Sequence, residues 1–327
     1  MEMRYFILSI GKLKKATLKA LTALEPDIKK SYKLERRLHV LTAKVHRQPK
    51  GCETWDCFVE HDGYSIPVHF FKPDNLRKDF LLLYFHGGGW VTGGIENYMS
   101  ACLSMAIGTG CMIASVDYRL APEYKFPAAP EDCYAVAKEF FSGNIIDVNP
   151  DKIVLTGDSA GGNLAAVVSL MARDRCEFSP KQQILFYPST YNDHSETSPF
   201  SSIRENGTGY ILTSKRVCDV IELYRSSEED LYNPYFAPLI ADDLSSQPKT
   251  LIITAEYCPL RDEGEAYGQK LLEAGNYVKT VRIKDAIHGF LTLSPSLKYL
   301  NQSYRAINAF LARGNENEKK QSVVPIG

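Results

Sequence analysis

The sequence predicts an α/β fold, with a mostly parallel central sheet and helices on both faces. Three observations predict it. Short apolar runs recur along the chain at 79–85, 111–118, 151–157, 182–188, 249–256 and 278–283. Helical text separates most of them, as in "PAAPEDCYAVAKEFF" and "SAGGNLAAVVSLMARD". The runs are apolar throughout rather than alternating, the pattern of strands buried on both faces.

The elements follow in order. Leu13, Leu18, Leu21 and Leu24, then Leu34, Leu38 and Leu41, recur at helical spacing among lysines and arginines. Their apolar face either packs on the body or forms part of a lid over a site. The text "ETWDCFVEHDGYSIPVHFFKP" reads as two strands joined by a hairpin turn at His61-Asp62-Gly63. The six apolar runs come next, and one segment breaks their alternation with helices. Residues from Thr190 to Asp242 are polar and rich in aromatics, with a helix expected in "GYILTSKRVCDVIELYRS". Ligands bind outside the carboxyl ends of such strands, so an insertion there is placed to form a cap. The expected organisation is a helical cap segment over 1–50 and a main domain over 51–314, with the cap insertion at about 190–242. The polar tail 315–327 is expected to be disordered.

The bulk composition narrows the function. A chain of 327 residues suits one large α/β domain or two ordinary ones, and neither a linker nor a repeat divides this one. With 44% hydrophobic residues and 24% charged ones, it can build a sizeable core. A net charge of −1 offers no attraction to nucleic acid or a polyanionic partner. No stretch approaches the ~18 apolar residues of a membrane span. The apolar run from Tyr5 to Ile10 is too short for a signal-peptide core. The eight cysteines show no CxxC and no zinc spacing, so they are read as reduced thiols in a cytoplasmic setting.

Three stretches carry chemistry. "GDSAGG", Gly157 to Gly162, follows the strand "KIVLT" and opens the helix "NLAAVVSLMA". A serine on such a strand-turn-helix bend is presented as a nucleophile, and the flanking glycines let strand and helix approach. The helix dipole then points at charge developing near Ser159. "HGGGW", His86 to Trp90, follows "DFLLLYF", and its glycines free backbone N–H groups to face a ligand. The amides of Gly87, Gly88 and Ala160 are expected to hold a tetrahedral oxyanion. "AIHGF" places His288 on a loop after the last expected strand, in the chain order Ser…acid…His, as general base. A metal or cofactor is not expected.

With these stretches in hand, the chain resembles the hormone-sensitive-lipase family of α/β-hydrolases, esterases that share the HGGG motif. The resemblance rests on "HGGGW", "DYRLAPE", "FPAAPED", "GDSAGGNLA", "NPYFAPL", "RDEG" and "HGF", which occur in order over roughly residues 80 to 310. It implies an α/β-hydrolase fold under a helical cap, and hydrolysis of short-chain acyl esters, acetyl esters among them. It matches Ser159, His288, Gly87, Gly88 and Ala160 to functional positions. Asp117, Arg119, Pro122 and Glu123 match a motif read as a buried polar network behind the site. Dimers through a sheet edge occur in such folds, so a homodimer is a further expectation.

One position departs from the family. Where the resemblance implies an acid before Pro-Leu-Arg-Asp, this chain has Cys258-Pro259-Leu260-Arg261-Asp262. A triad acid holds the imidazole tautomer and stabilises the imidazolium, and a neutral thiol supplies neither charge nor a strong acceptor. Three readings follow. Another carboxylate substitutes, with Asp262, Glu256 and Asp285 as candidates. Or the enzyme works with Ser159 and His288 alone. Or the protein is catalytically weakened, or binds a ligand without turning it over. A thiol enzyme with Cys258 as nucleophile is disfavoured, because Cys258 lacks the strand-turn-helix bend. Trp90, Tyr210, Tyr257 and Phe290 are the candidates for lining the substrate pocket.

Overall fold

The computed structural model describes residues 26–43, 51–76, 79–292, 296–312 and 324–326. Among the described residues, nine strands form one sheet in the order β1-β2-β4-β3-β5-β6-β7-β8-β9. The strands are β1 (Cys52–His61), β2 (Tyr64–Pro73), β3 (Leu81–Phe85), β4 (Met112–Val116), β5 (Ile153–Asp158), β6 (Gln182–Phe186), β7 (Lys249–Tyr257), β8 (Val278–Ile287) and β9 (Val324–Ile326). β1 and β2 pair antiparallel, as do β2 and β4, and β3 to β9 are parallel. Each predicted run holds a strand. The hairpin turn is tighter than expected, with Asp62 and Gly63 alone between the strands and φ of 51° and 71°. Positive φ at both loop positions is the geometry that matches the strands' own twist.

The central strands are buried on both faces: every residue of β3 and of β5 is buried. Helix α1 spans Ile28–Ala43, α2 Ile95–Thr109, α3 Ala128–Phe141 and α4 Ala160–Arg175. The short α5 is Ser201–Asn206, α6 is Ser214–Tyr224, α7 is Arg261–Glu273 and α8 is Leu297–Ala312. α2 packs against α8, where Tyr304 covers Gly108 so closely that a Cβ there would lie 2.3 Å from its ring. α3 packs against α4.

The chain runs from β3 outward to β4, then crosses back so that β5 pairs with the other side of β3. Phe85 therefore stands opposite Gly157, and the loops after β3 and β5 leave the sheet side by side. That reversal of strand order opens the crevice in which such sheets bind ligands.

Residues 187–248 form the insertion between β6 and β7 that contains α5 and α6. It is tied to the body by a buried carboxylate. Glu263 of α7 accepts from the backbone N–H groups of Thr190 and Tyr191 at 2.7 and 3.2 Å, and His194 Nε2 lies 2.7 Å from its other oxygen. α1 joins α6 through a bidentate pair, Arg216 to Glu35 at 2.6 and 3.2 Å. Arg36, also of α1, donates to the carbonyls of Val91 and Ala121 and to Glu123. The helices expected before residue 26 lie outside the described residues, and so do residues 315–323 and 327 of the tail. At the end of that tail, 324–326 pair with Val281–Ile283 as β9.

Candidate active site

Ser159 lies between β5 and α4 with φ 56° and ψ −118°. A non-glycine residue held in such a region stores roughly 1–3 kcal/mol of strain, which the surrounding packing must sustain. The packing is close. A Cβ on Gly157 would lie 2.1 Å from the Gly161 carbonyl oxygen, and one on Gly161 would lie 1.9 Å from that of Phe85. Both contacts are to backbone, which cannot swing away. Gly161→Ala is therefore expected to cost about 3 kcal/mol of stability, as overpacking against a fixed wall does. Thermal unfolding beside the wild type checks it, and an unchanged Tm would contradict it.

His288 comes from the loop after β8, and its Nε2 lies 2.9 Å from Ser159 Oγ. Its Nδ1 lies 3.1 Å from Cys258 Sγ. The thiol thus stands in the place of the expected acid, at the end of β7. Leu260 N–H also points at this sulfur, at 3.3 Å. Burial pushes the Cys258 thiol well up, and burial lowers His288 to about 3. At neutral pH both groups are uncharged. The ring of Tyr187 packs on the imidazole at 4.7 Å, with Phe290 behind it at 5.2 Å from Tyr187.

None of the three substitute carboxylates is bonded to His288. Asp262 accepts from Ser201 Oγ, Ser202 N–H and Arg261 Nε at 3.0, 2.8 and 2.7 Å. Glu256 accepts from the Asp285 N–H at 2.7 Å. Asp285 has Lys298 at 3.9 Å. Of the three readings, the one in which another carboxylate replaces the acid finds no contact here: Asp262 and Glu256 are held by partners of their own, Asp285 does not reach the ring, and the sulfur lies at Nδ1.

The glycine loop needs a correction. Gly87 N–H donates to Asp158 Oδ1 at 2.8 Å, so this amide is committed and does not face the cleft. Among the described hydrogen bonds, the N–H groups of Gly88, Gly89 and Ala160 have no acceptor. Gly88 and Gly89 adopt φ of 118° and 63°, a turn open to glycine. His86 is fully buried, stacked on Tyr118 at 4.3 Å, with Nδ1 2.8 Å from the Gly87 carbonyl.

A cavity of about 410 Å³ opens on Ser159 and His288. Gly88, Gly89 and Ala160 line it, and so do Leu212, Val217 and Val220 from the insertion. Trp90 lines it as expected; Tyr210, Tyr257 and Phe290 do not. Tyr210 and Tyr257 instead stack on each other at 5.2 Å, and Phe290 is fully buried. Glu35 and Arg216 also line the cavity, and so does Asp158. Sequence reasoning missed these three, since nothing local in the text brings α1 to α6 or turns Asp158 inward. Of the "DYRLAPE" network, Arg119 forms a forked pair with fully buried Asp132, at 2.6 Å for the closest contact, while Asp117 lies 3.8 Å from His86. Asp117 is 40% exposed, so the network is only partly buried.

A model of the family described as alpha/beta hydrolase fold matches residues 82–292, and the chain belongs to that family. The relatives narrow its place to the hormone-sensitive-lipase-like carboxylesterases. An arylesterase of Saccharolobus solfataricus is 38% identical over 261 residues, covering 79% of this chain and 83% of that one. The carboxylesterase NlhH of Mycobacterium tuberculosis is 35% identical, with 72% and 75% covered. Among solved structures, the hyperthermophilic esterase of the archaeon Pyrobaculum calidifontis superposes with a TM-score of 0.82 at 35% identity, covering 93% of this chain and 99% of that one. No helix among the described residues is long and apolar enough to cross a membrane.

Proposed function

We propose that the protein is a serine carboxylesterase for short-chain acyl esters that works without a triad acid. The observation that carries this reading is the 2.9 Å contact between Ser159 Oγ and His288 Nε2 beside unpaired backbone donors. Ser159 attacks the ester carbonyl while His288 takes its proton. The N–H groups of Gly88, Gly89 and Ala160 receive the oxyanion, and each such donor contributes roughly 3 kcal/mol to lowering the barrier. The alcohol leaves with the proton from His288, and water then releases the acid by the same route in reverse order. A cavity of about 410 Å³ is large enough to admit a small ester. A 31% identical relative bears the name ethyl acetate hydrolase, which supports a short acyl group, acetyl included.

Cys258 sets the rate. A thiol that donates its proton to Nδ1 leaves the ring hydrogen on Nε2, where it points at Ser159 and blocks proton transfer. The productive tautomer requires Nδ1–H to donate to sulfur, a weak acceptor that brings no charge to the imidazolium. This same feature favours a second reading, a hydrolase-fold protein that binds its ligand and turns it over negligibly.

A fluorophosphonate probe separates the two, because it bonds only to an activated serine. The expected result is one covalent adduct at Ser159, absent in Ser159→Ala. Absence of an adduct on the wild type overturns the esterase reading in favour of the binding one.

A further inference from the structure

We infer that Arg36 of α1 is a positioning residue for hydrolysis: its guanidinium clamps the turn that carries the Gly89 N–H and polarises that donor toward the oxyanion. This rests on the esterase reading above, which assigns the Gly89 N–H to the oxyanion.

Arg36 grips the turn and its support together. Nε donates to the Val91 carbonyl at 2.7 Å, and Nη2 donates to the Ala121 carbonyl at 2.6 Å. Nη1 donates to Glu123 at 3.0 Å, which fixes the plane of the fork. The Ala121 N–H in turn donates to the Trp90 carbonyl at 2.9 Å. Two consecutive carbonyls of the turn are therefore held, Val91 by the guanidinium and Trp90 through the segment that the guanidinium also holds. The turn needs such support: Gly88, Gly89 and Trp90 have φ of 118°, 63° and 59°. Trp90 is not a glycine, and a residue with a side chain keeps such a conformation only where its surroundings enforce it.

The same bonds set the direction of the Gly89 N–H. Val91 C=O and Thr92 N–H belong to one peptide group. The Thr92 N–H donates to the Gly88 carbonyl at 2.9 Å, where the Val91 N–H and Thr92 Oγ1 also converge at 3.2 and 3.1 Å. Gly88 C=O and Gly89 N–H share a second peptide group. In a planar trans peptide these two bonds point opposite ways, so holding the Gly88 carbonyl on Thr92 turns the Gly89 N–H away from it. Gly89 lines the catalytic cavity with Ser159. The bonds run in series: guanidinium to Val91 carbonyl, Thr92 N–H to Gly88 carbonyl, Gly89 N–H to the oxyanion. Each bond in such a chain polarises the next, and the first donor carries a full positive charge. Arg36 itself lines a neighbouring cavity of about 510 Å³ rather than the catalytic one, so it acts through the turn and not on the substrate.

The variants are Arg36→Ala, Arg36→Lys and Arg37→Ala, measured beside the wild type for kcat and KM on p-nitrophenyl butyrate and for affinity to trifluoroacetophenone. That ketone adds to the serine as a tetrahedral oxyanion, so its affinity reads the donors directly. Arg36→Ala should lower kcat ~10–10²-fold and change KM less than about threefold, with ketone affinity falling in step with kcat. Lysine keeps the charge but lacks the fork that reaches two carbonyls, so Arg36→Lys should fall between wild type and Arg36→Ala. Arg37 is exposed on the same helix, and Arg37→Ala should leave all three quantities unchanged. Wild-type kcat in Arg36→Ala overturns the proposal. So does a lower kcat with ketone affinity intact, because the oxyanion donors would then be unaffected, and so does an equal loss in Arg37→Ala. If Arg36→Ala does not unfold cooperatively, Arg36→Lys decides: full kcat and full ketone affinity there overturn the clamp. Fluorophosphonate labelling runs alongside. An unreactive Ser159 in the wild type removes the esterase reading and this proposal together, whereas a reactive Ser159 with unchanged Arg36 variants removes this one alone.

Discussion

Replacing Cys258 with aspartate is expected to raise kcat by ~10³–10⁴-fold. Removing the acid from a serine triad costs on the order of 10⁴ in kcat, largely through the wrong imidazole tautomer. On the proposed esterase reading, this protein stands at the low end of that comparison. The place is already built for an anion: Leu260 N–H points at the sulfur from 3.3 Å, and His288 Nδ1 lies 3.1 Å away. A carboxylate there would accept both hydrogens, fix the proton on Nδ1 and leave Nε2 free to act as base. It would also supply the charge that burial alone denies to the imidazolium. The check is kcat on p-nitrophenyl acetate and butyrate. A gain below about threefold would mean that His288 is already oriented in the native protein.

Ser159→Ala is expected to have two different effects in two backgrounds. Where a whole triad operates, losing the serine costs roughly 2 × 10⁶ in kcat, and losing the acid alone costs roughly 3 × 10⁴. Their ratio, about 70, is what the serine still adds once the acid is gone. In the native protein Ser159→Ala should therefore lower kcat by only ~10²-fold, while in Cys258→Asp the same change should cost ~10⁶-fold. The difference is a coupling between Ser159 and position 258 through His288, and it vanishes if the two act independently. Steady-state rates of the four proteins measure it.

The parts legible in the sequence are those set by short-range patterns. The strand-turn-helix text around Ser159 and the apolar runs needed only local spacing, and Ser159 and His288 do meet at 2.9 Å. Cys258 could be placed at the acid position because the residues after it follow a familiar pattern, and its sulfur faces Nδ1. What was not legible depends on direction. Gly87 and Gly89 are alike in text, but only φ and ψ decide that Gly87 N–H turns to Asp158. Asp262, Glu256 and Asp285 are near His288 or Cys258 along the chain, yet their side chains are drawn to Ser202, the Asp285 amide and Lys298. The cavity wall joins α1 to α6 across about 180 residues of chain through Glu35 and Arg216, beyond the reach of any periodicity. Tyr210 and Tyr257 have the composition of a pocket but find each other instead.

The most direct test of a serine esterase working without its acid is hydrolysis of p-nitrophenyl butyrate by wild type, Ser159→Ala and Cys258→Asp in one buffer. The predicted order is a fast Cys258→Asp, a slow wild type and a slower Ser159→Ala. A wild type as fast as Cys258→Asp would contradict the account by showing that the thiol does not limit His288. A Ser159→Ala variant that keeps the wild-type rate would contradict it at its base.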